Sequence, residues 1–299
     1  MPTSLTFSKW LSVPRDSETI SRSLQRKVFG LDSKSSFPLL SGDTFKYMCD
    51  SILEGPAEIT MDALYSLQDL NGRLFVQAEP MSRNSTALVK ACKSGLHFPE
   101  ADLVIHNGDV IPKPDEISLL RNSFRRVYSV NWLGDPSIAT ALPIGLENRD
   151  KRRNGVPKDY IREISNGLLS RDERDISILV AFSLHTNFEE RSLALEYAKK
   201  IPGAHVIDNP ITPKQFRKLI LRSQYVLSPP GNGPDCHRTW EALYLGSTPV
   251  VHRKSWAFSG HEVPALVVDS WDEIEEKMKT DTSRPKNNSW GEVSYWMPS

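Results

Sequence analysis

Short apolar runs alternate with longer amphipathic ones along most of the chain. Runs rich in β-branched and aromatic residues at 73–77, 102–106, 126–130, 139–143, 176–182, 205–207, 224–228, 248–252 and 265–268 predict strands. Apolar residues at helical spacing predict helices over 43–53, 114–123, 188–200, 213–222, 235–245 and 271–279. Strands separated by helices define an α/β fold. The segment 148–157, NRDKRRNGVP, is charged and turn-rich and predicts the start of a connection between domains. Its rival is a long surface loop inside one larger domain. A chain of 299 residues suits two domains of about 150 residues each. The expected division is 1–150 and 151–285, with the tail 286–299, SWGEVSYWM at its centre, apolar enough to pack back onto the first domain.

One stretch, SPPGNGPDCHRTWEALYLGSTPVV (228–251), concentrates polar and glycine residues between two apolar runs. It reads as strand, glycine loop, helix, strand, with Asp235 as N-cap and Gly246 at the helix end. In an open parallel sheet such a loop lies at the carboxyl end of a strand, beside a helix N-terminus that favours an anion. Gly231 and Gly233, flanking Asn232, would let backbone approach a phosphate; His237 and Arg238 would add donors. Glu241 shares their helix face and is placed to accept hydrogen bonds from a ribose.

Three more polar clusters fall at predicted strand ends or helix starts. Ser41–Thr44 opens a helix, where Asp43 or Thr44 could be only an N-cap; His106–Asp109 could be an Asn-Gly turn capped by Asp109. In 182–191, Asn187 could be an N-cap and Arg191 a solvated helix residue. Four such clusters at equivalent positions point to ligand sites rather than to turns alone.

The 37 basic and 37 acidic residues cancel, which argues against a general nucleic-acid binder. The three cysteines, Cys49, Cys92 and Cys236, form neither a disulfide framework nor a zinc ribbon and fit a reducing compartment. The N-terminal segment is too polar for a secretory signal, and no apolar run is long enough to span a bilayer. A cytoplasmic protein with at most peripheral membrane contact is expected.

The 228–251 stretch resembles the C-terminal signature of the exostosin-type glycosyltransferases, in the branch with ribitol xylosyltransferases and short microbial and viral relatives. The family's Gly-x-Asp-x-x-Arg-x-x-Glu-Ala core maps without a gap onto Gly233, Asp235, Arg238 and Glu241. LVIHNGD (103–109) and LPIGLENR (142–149) also resemble that branch. The resemblance implies a GT-B architecture, two Rossmann-like domains with parallel sheets facing across a cleft. It implies a hexosyl- or pentosyltransferase using a nucleotide-sugar, commonly a UDP-sugar such as UDP-xylose, and a glycan or glycolipid acceptor in surface polysaccharide or glycan synthesis. Glu241 would hold the ribose, Arg238 and the Gly231–Gly233 loop the diphosphate, and Asn187 with Arg191 would neutralise the leaving group. The sequence has no Asp-x-Asp pair, so metal-independent transfer with no other cofactor is expected. Many retaining GT-B enzymes carry a second glutamate where this chain has Gly233, so inversion is expected, with one general base from the first domain. Asp43 and Asp109 are the first candidates and Glu79 the third.

Rival readings come from other classes. Gly231–Cys236 resembles a dinucleotide-binding Gly-x-Gly-x-x-Gly, but Cys236 replaces the third glycine and 252–254 is His-Arg-Lys where an acid should end the next strand. A Cys236–His237 hydrolase ranks lower still, because adjacent helical residues diverge by about 100° and cannot pair as nucleophile and base. A sugar-nucleotide-binding module without a base is the third alternative. Trp132, Trp256, Trp290 and Trp296 are expected to be core rather than sugar-stacking residues.

Overall fold

The computed structural model describes residues 36, 39–55, 59–78, 84–148, 157–282 and 289–298. The fold is α/β, built on two five-stranded sheets with every paired strand parallel. The first half runs α1 (Gly42–Tyr47), β1 (Ser51–Leu53), α2 (Met61–Tyr65), β2 (Arg73–Gln77), α3 (Asn84–Lys93), β3 (Phe98–His106), α4 (Pro114–Ser123), β4 (Phe124–Val130) and β5 (Thr140–Leu142). The second runs α5 (Pro157–Ser165), β6 (Ile176–Val180), α6 (Phe188–Ala198), β7 (Ala204–Val206), α7 (Pro213–Arg222), β8 (Ser223–Leu227), α8 (His237–Tyr244), β9 (Thr248–His252), β10 (Leu266–Val268) and α9 (Ile274–Thr280). The short α10 (Val293–Trp296) follows.

The sheets differ in strand order. The first is sequential, β1-β2-β3-β4-β5; the second is β10-β9-β8-β6-β7. In the second, the chain leaves β6 to one side for β7 and returns on the other side for β8. That reversal falls at the carboxyl ends of β6 and β8, the position at which open α/β sheets bind ligands.

The expected helix over 43–53 is half helix and half strand. Phe45, Met48, Cys49, Ile52 and Leu53 satisfy a helical period, yet α1 ends at Tyr47 and 51–53 pairs with β2 in the register Ser51↔Leu74 to Leu53↔Val76. Backbone pairing with β2 overrides the local pattern, and the Asp50 carboxylate fixes the entry by accepting from the Arg73 amide at 2.9 Å. Ser41, rather than Asp43 or Thr44, caps α1 by accepting from the Thr44 amide. At α8 the N-cap is Cys236, one residue beyond the expected Asp235. The helices α2, α3, α5 and α10 add to those expected.

Alternation along the central strands feeds two apolar layers. Leu179 of β6 and Val226 of β8 join a cluster that also contains the first sheet's core, while Ile178, Val180, Tyr225 and Leu227 pack on the opposite face with Ala194, Ala198 and Trp271. Trp132, Trp256, Trp290 and Trp296 are all buried. The tail touches both halves: Arg73 of β2 donates to the Pro298 carbonyl at 3.0 Å, while Trp296 packs edge-on against Trp240 and Phe258. Among the described residues no helix is long and apolar enough to cross a membrane.

Candidate functional site

At the carboxyl ends of β6 and β8 two chain segments meet, joined by Arg191 and Arg238. After β6 the chain passes Phe182 and enters α6 behind Asn187, which occupies the N-cap position without a side-chain capping bond. Arg191, in the first turn of α6, is 6% exposed. Its Nε donates to the Pro230 carbonyl at 2.9 Å and its Nη1 to the Ser183 carbonyl at 2.5 Å. Its Nη2 lies 3.9 Å from the Cys236 Sγ. A Cβ on Gly231 would sit 2.7 Å from that Nη2, so the absence of a side chain at 231 is what lets the loop close over the guanidinium.

Arg238 enters from the other side, in the first turn of α8. Its Nε donates to the Ala181 carbonyl at 3.0 Å, and its Nη1 is buried with no hydrogen-bond partner. The Arg191 and Arg238 guanidinium carbons lie 5.6 and 5.4 Å from the centroid of the same Phe182 ring. Neither guanidinium is paired with a carboxylate among the described residues; their partners are carbonyls and a thiol. Burial lowers the Arg238 pKa, and Arg191 adds repulsion in the same direction. Two like charges lie close together, with Glu241 near enough to act on Arg238 but not hydrogen-bonded to either guanidinium, and an anion with several oxygens would supply the acceptors they lack.

Glu241 lies one turn further along α8 and is 2% exposed. Its Oε1 accepts from the Tyr160 hydroxyl of α5 at 2.8 Å. Burial raises its pKa, the Tyr160 hydrogen bond and the charges of His237 and Arg238 oppose that shift, and Glu147 reinforces it. Tyr160 and Glu147 are therefore parts of the site that sequence reasoning missed. The helical spacing of Tyr160, Ile161 and Ile164 was the available signal for the first, and the LPIGLENR stretch (142–149) that contains Glu147 was the signal for the second.

The remaining motif residues divide by role. Asp235 is committed internally: its carboxylate accepts from the Ile144 amide at 2.8 Å, the Cys236 amide at 2.8 Å and the Trp240 indole at 2.9 Å. His237 Nδ1 donates to the Gly145 carbonyl at 2.8 Å. Both residues thus tie the motif to the segment following β5. Asn232 reaches the first half too, donating to the Asp109 carboxylate at 3.2 Å. A Cβ on Gly233 would lie 2.9 Å from Asn131 Nδ2 and 3.1 Å from the Asp109 carbonyl, so this glycine also serves a close approach.

The first half contributes the ends of β3 and β4. Asn107 and Asn131, each immediately after its strand, have φ of 60° and 59°. Asn131 donates to the Gly108 carbonyl, while its Oδ1 is buried without a partner. Asp109 stands beside these residues, against the glycine loop. Asp43, 9% exposed, sits in a neighbouring network: its amide donates to Asn148 Oδ1, Asn148 Nδ2 donates to Asn107 Oδ1, and Lys46 lies 3.7 Å from its carboxylate. Glu79 and most of 148–157 lie outside the described residues. Among the described residues no group of three or more His, Cys, Asp or Glu side chains is arranged to hold a metal ion.

Comparison with known protein families finds no family model that matches the chain, and comparison with curated proteins finds no match.

Proposed function

We propose that the protein is a glycosyltransferase that moves a sugar from a nucleotide-diphosphate donor to a hydroxyl of a glycan or glycolipid acceptor. The observation that carries the reading is the pair Arg191 and Arg238, converging on Phe182 with no hydrogen bond to a carboxylate among the described residues, at the reversal of strand order. A diphosphate is the ligand that answers two fork-shaped donors side by side. The resemblance of 228–251 to the exostosin-type signature supports the same assignment. In this reading the halves 1–150 and 151–285 are the two domains of a GT-B enzyme, with the cleft between the sheet ends.

Inverting transfer assigns each group one role. The acceptor hydroxyl gives its proton to Asp109, its oxygen bonds the anomeric carbon, and the bond to the diphosphate breaks with the electron pair leaving on the phosphate oxygen. Arg191 and Arg238 take up the charge that develops there. Asp109 is favoured over Asp43 as base because it touches the donor loop through Asn232. Glu241 is the acceptor for the ribose hydroxyls.

Thermal melting with a panel of nucleoside diphosphates and nucleotide-sugars, with and without EDTA, tests the assignment. A ligand at about 100 times its Kd should stabilise by about 2.7 kcal/mol. Stabilisation that survives EDTA in wild type and disappears in Arg238→Gln is expected. Stabilisation by NAD or NADP alone would replace the reading with a dehydrogenase.

A further inference from the structure

We infer that Tyr160 stands in for a ligand hydroxyl on Glu241, so that α5 acts as a latch that the donor's ribose must displace. The inference rests on the donor-binding reading of α8. Glu241 and Tyr160 are each 2% exposed and joined at 2.8 Å, so no sugar hydroxyl reaches Oε1 while the phenol is in place. A ribose hydroxyl and a phenol offer the carboxylate the same single donor, which makes the two exchangeable at one position.

Tyr160 is the point at which its helix reaches the buried carboxylate of α8. Within α5 only Tyr160 is buried. Ile161 and Ile164 are partly buried against the main core, and Asp159 lies 3.5 Å from Arg217, whose guanidinium stands 5.4 Å from the Tyr160 ring. The Tyr160 hydroxyl thus joins α5 to the carboxylate of α8, with Arg217 as a second partner of the phenol. Exchanging it for a ribose keeps the carboxylate satisfied throughout, so neither state leaves a buried acceptor without a donor.

A latch lowers apparent affinity by the fraction of molecules in which it is open. Tyr160→Phe removes the competing donor while keeping the ring. Calorimetric titration with the nucleoside diphosphate that stabilises wild type should then show binding about three- to tenfold tighter, the factor of one net hydrogen bond. Equal or weaker binding would overturn the latch and make Tyr160 a support for Glu241. Hydrogen exchange of the α5 amides supplies a second measurement on the free proteins. Exchange should rise to similar extents in Tyr160→Phe and Glu241→Gln, with no further rise in the double variant; unchanged exchange in Tyr160→Phe overturns the latch without any ligand. If neither wild type nor Tyr160→Phe binds a nucleoside diphosphate, the donor reading itself falls, and the role of Tyr160 in exchange falls with it.

Discussion

His106 ends β3 with both ring nitrogens engaged. Nδ1 accepts from the Asn107 amide at 2.7 Å and Nε2 donates to the Pro143 carbonyl at 3.0 Å, which fixes the neutral Nε2–H tautomer. Burial lowers its pKa to about 4 from an ordinary 6.5. Between those values the unfolded chain takes a proton that the native ring refuses, so stability falls as pH drops from 6.5 to about 4 and the loss then levels off. The full contribution, about 3 kcal/mol, is present above pH 6.5. Urea unfolding of wild type and His106→Gln across this range should give stability curves that diverge by roughly that amount toward high pH; parallel curves would show that His106 is not the group responsible. At this scale the sequence was partly legible. Arg238 and Glu241 are readable because they recur on one helix face beside a glycine loop. Tyr160, 81 residues from Glu241, is not, because no local pattern encodes a contact that the fold alone creates. Asp235 was legible as important, but its carboxylate serves Ile144 and Trp240, partners outside the reach of a spacing argument.

The elements carrying the site are held from beneath by one buried cation. Arg174, 3% exposed, donates to the carbonyls of Ile220 and Ser223 at the end of α7, of Leu245 at the end of α8, and of Leu169, and also to the Ser247 hydroxyl. The negative ends of two helices stand in for a carboxylate. Gly246, at φ 76°, makes room, since a Cβ there would lie 2.7 Å from Arg174 Nη2. Arg174→Met keeps most of the packing but removes the donor that joins the Leu169 and Leu245 carbonyls to those of Ile220 and Ser223, which keep only the Ser247 hydroxyl and local amides, and should cost about 3 kcal/mol or more in urea unfolding. A loss below about 1 kcal/mol would mean that water takes over the capping. If α8 holds the proposed donor through Arg238 and Glu241, the variant should also lose part of any nucleoside-diphosphate-induced rise in Tm. Most strands and helices were visible as alternating apolar patterns. The exception over 51–53 shows the limit: three residues satisfy either period, and only the neighbouring β2 decides between them.

Two parallel sheets followed from the alternation of elements, whereas the order of strands within them did not. Strand order depends on which side each crossover takes, and that is settled by packing rather than by local sequence. The tail is a similar case. Its apolar character announced that it would be buried, but its position at the junction follows from Trp240, Phe258 and Tyr244, all in the second half. Tyr244 of α8 takes a hydrogen bond from the Leu40 amide at 2.8 Å and gives one to the Gly291 carbonyl at 3.4 Å, so one hydroxyl joins the first half, the motif helix and the tail. Asp235 and His237 add bonds to the segment after β5, and the larger apolar cluster runs without a break from the first sheet to Trp240 and Trp296. Halves that share a core and several buried hydrogen bonds lose both when either unfolds, so the two sheets should melt together. Scanning calorimetry is expected to give a single transition whose calorimetric and van't Hoff enthalpies agree. Trp296→Ala, which opens the shared core under Trp240, should lower stability by about 3–5 kcal/mol and move that one transition as a whole. If it instead splits the transition in two, the halves are independent domains and the tail belongs energetically to only one of them.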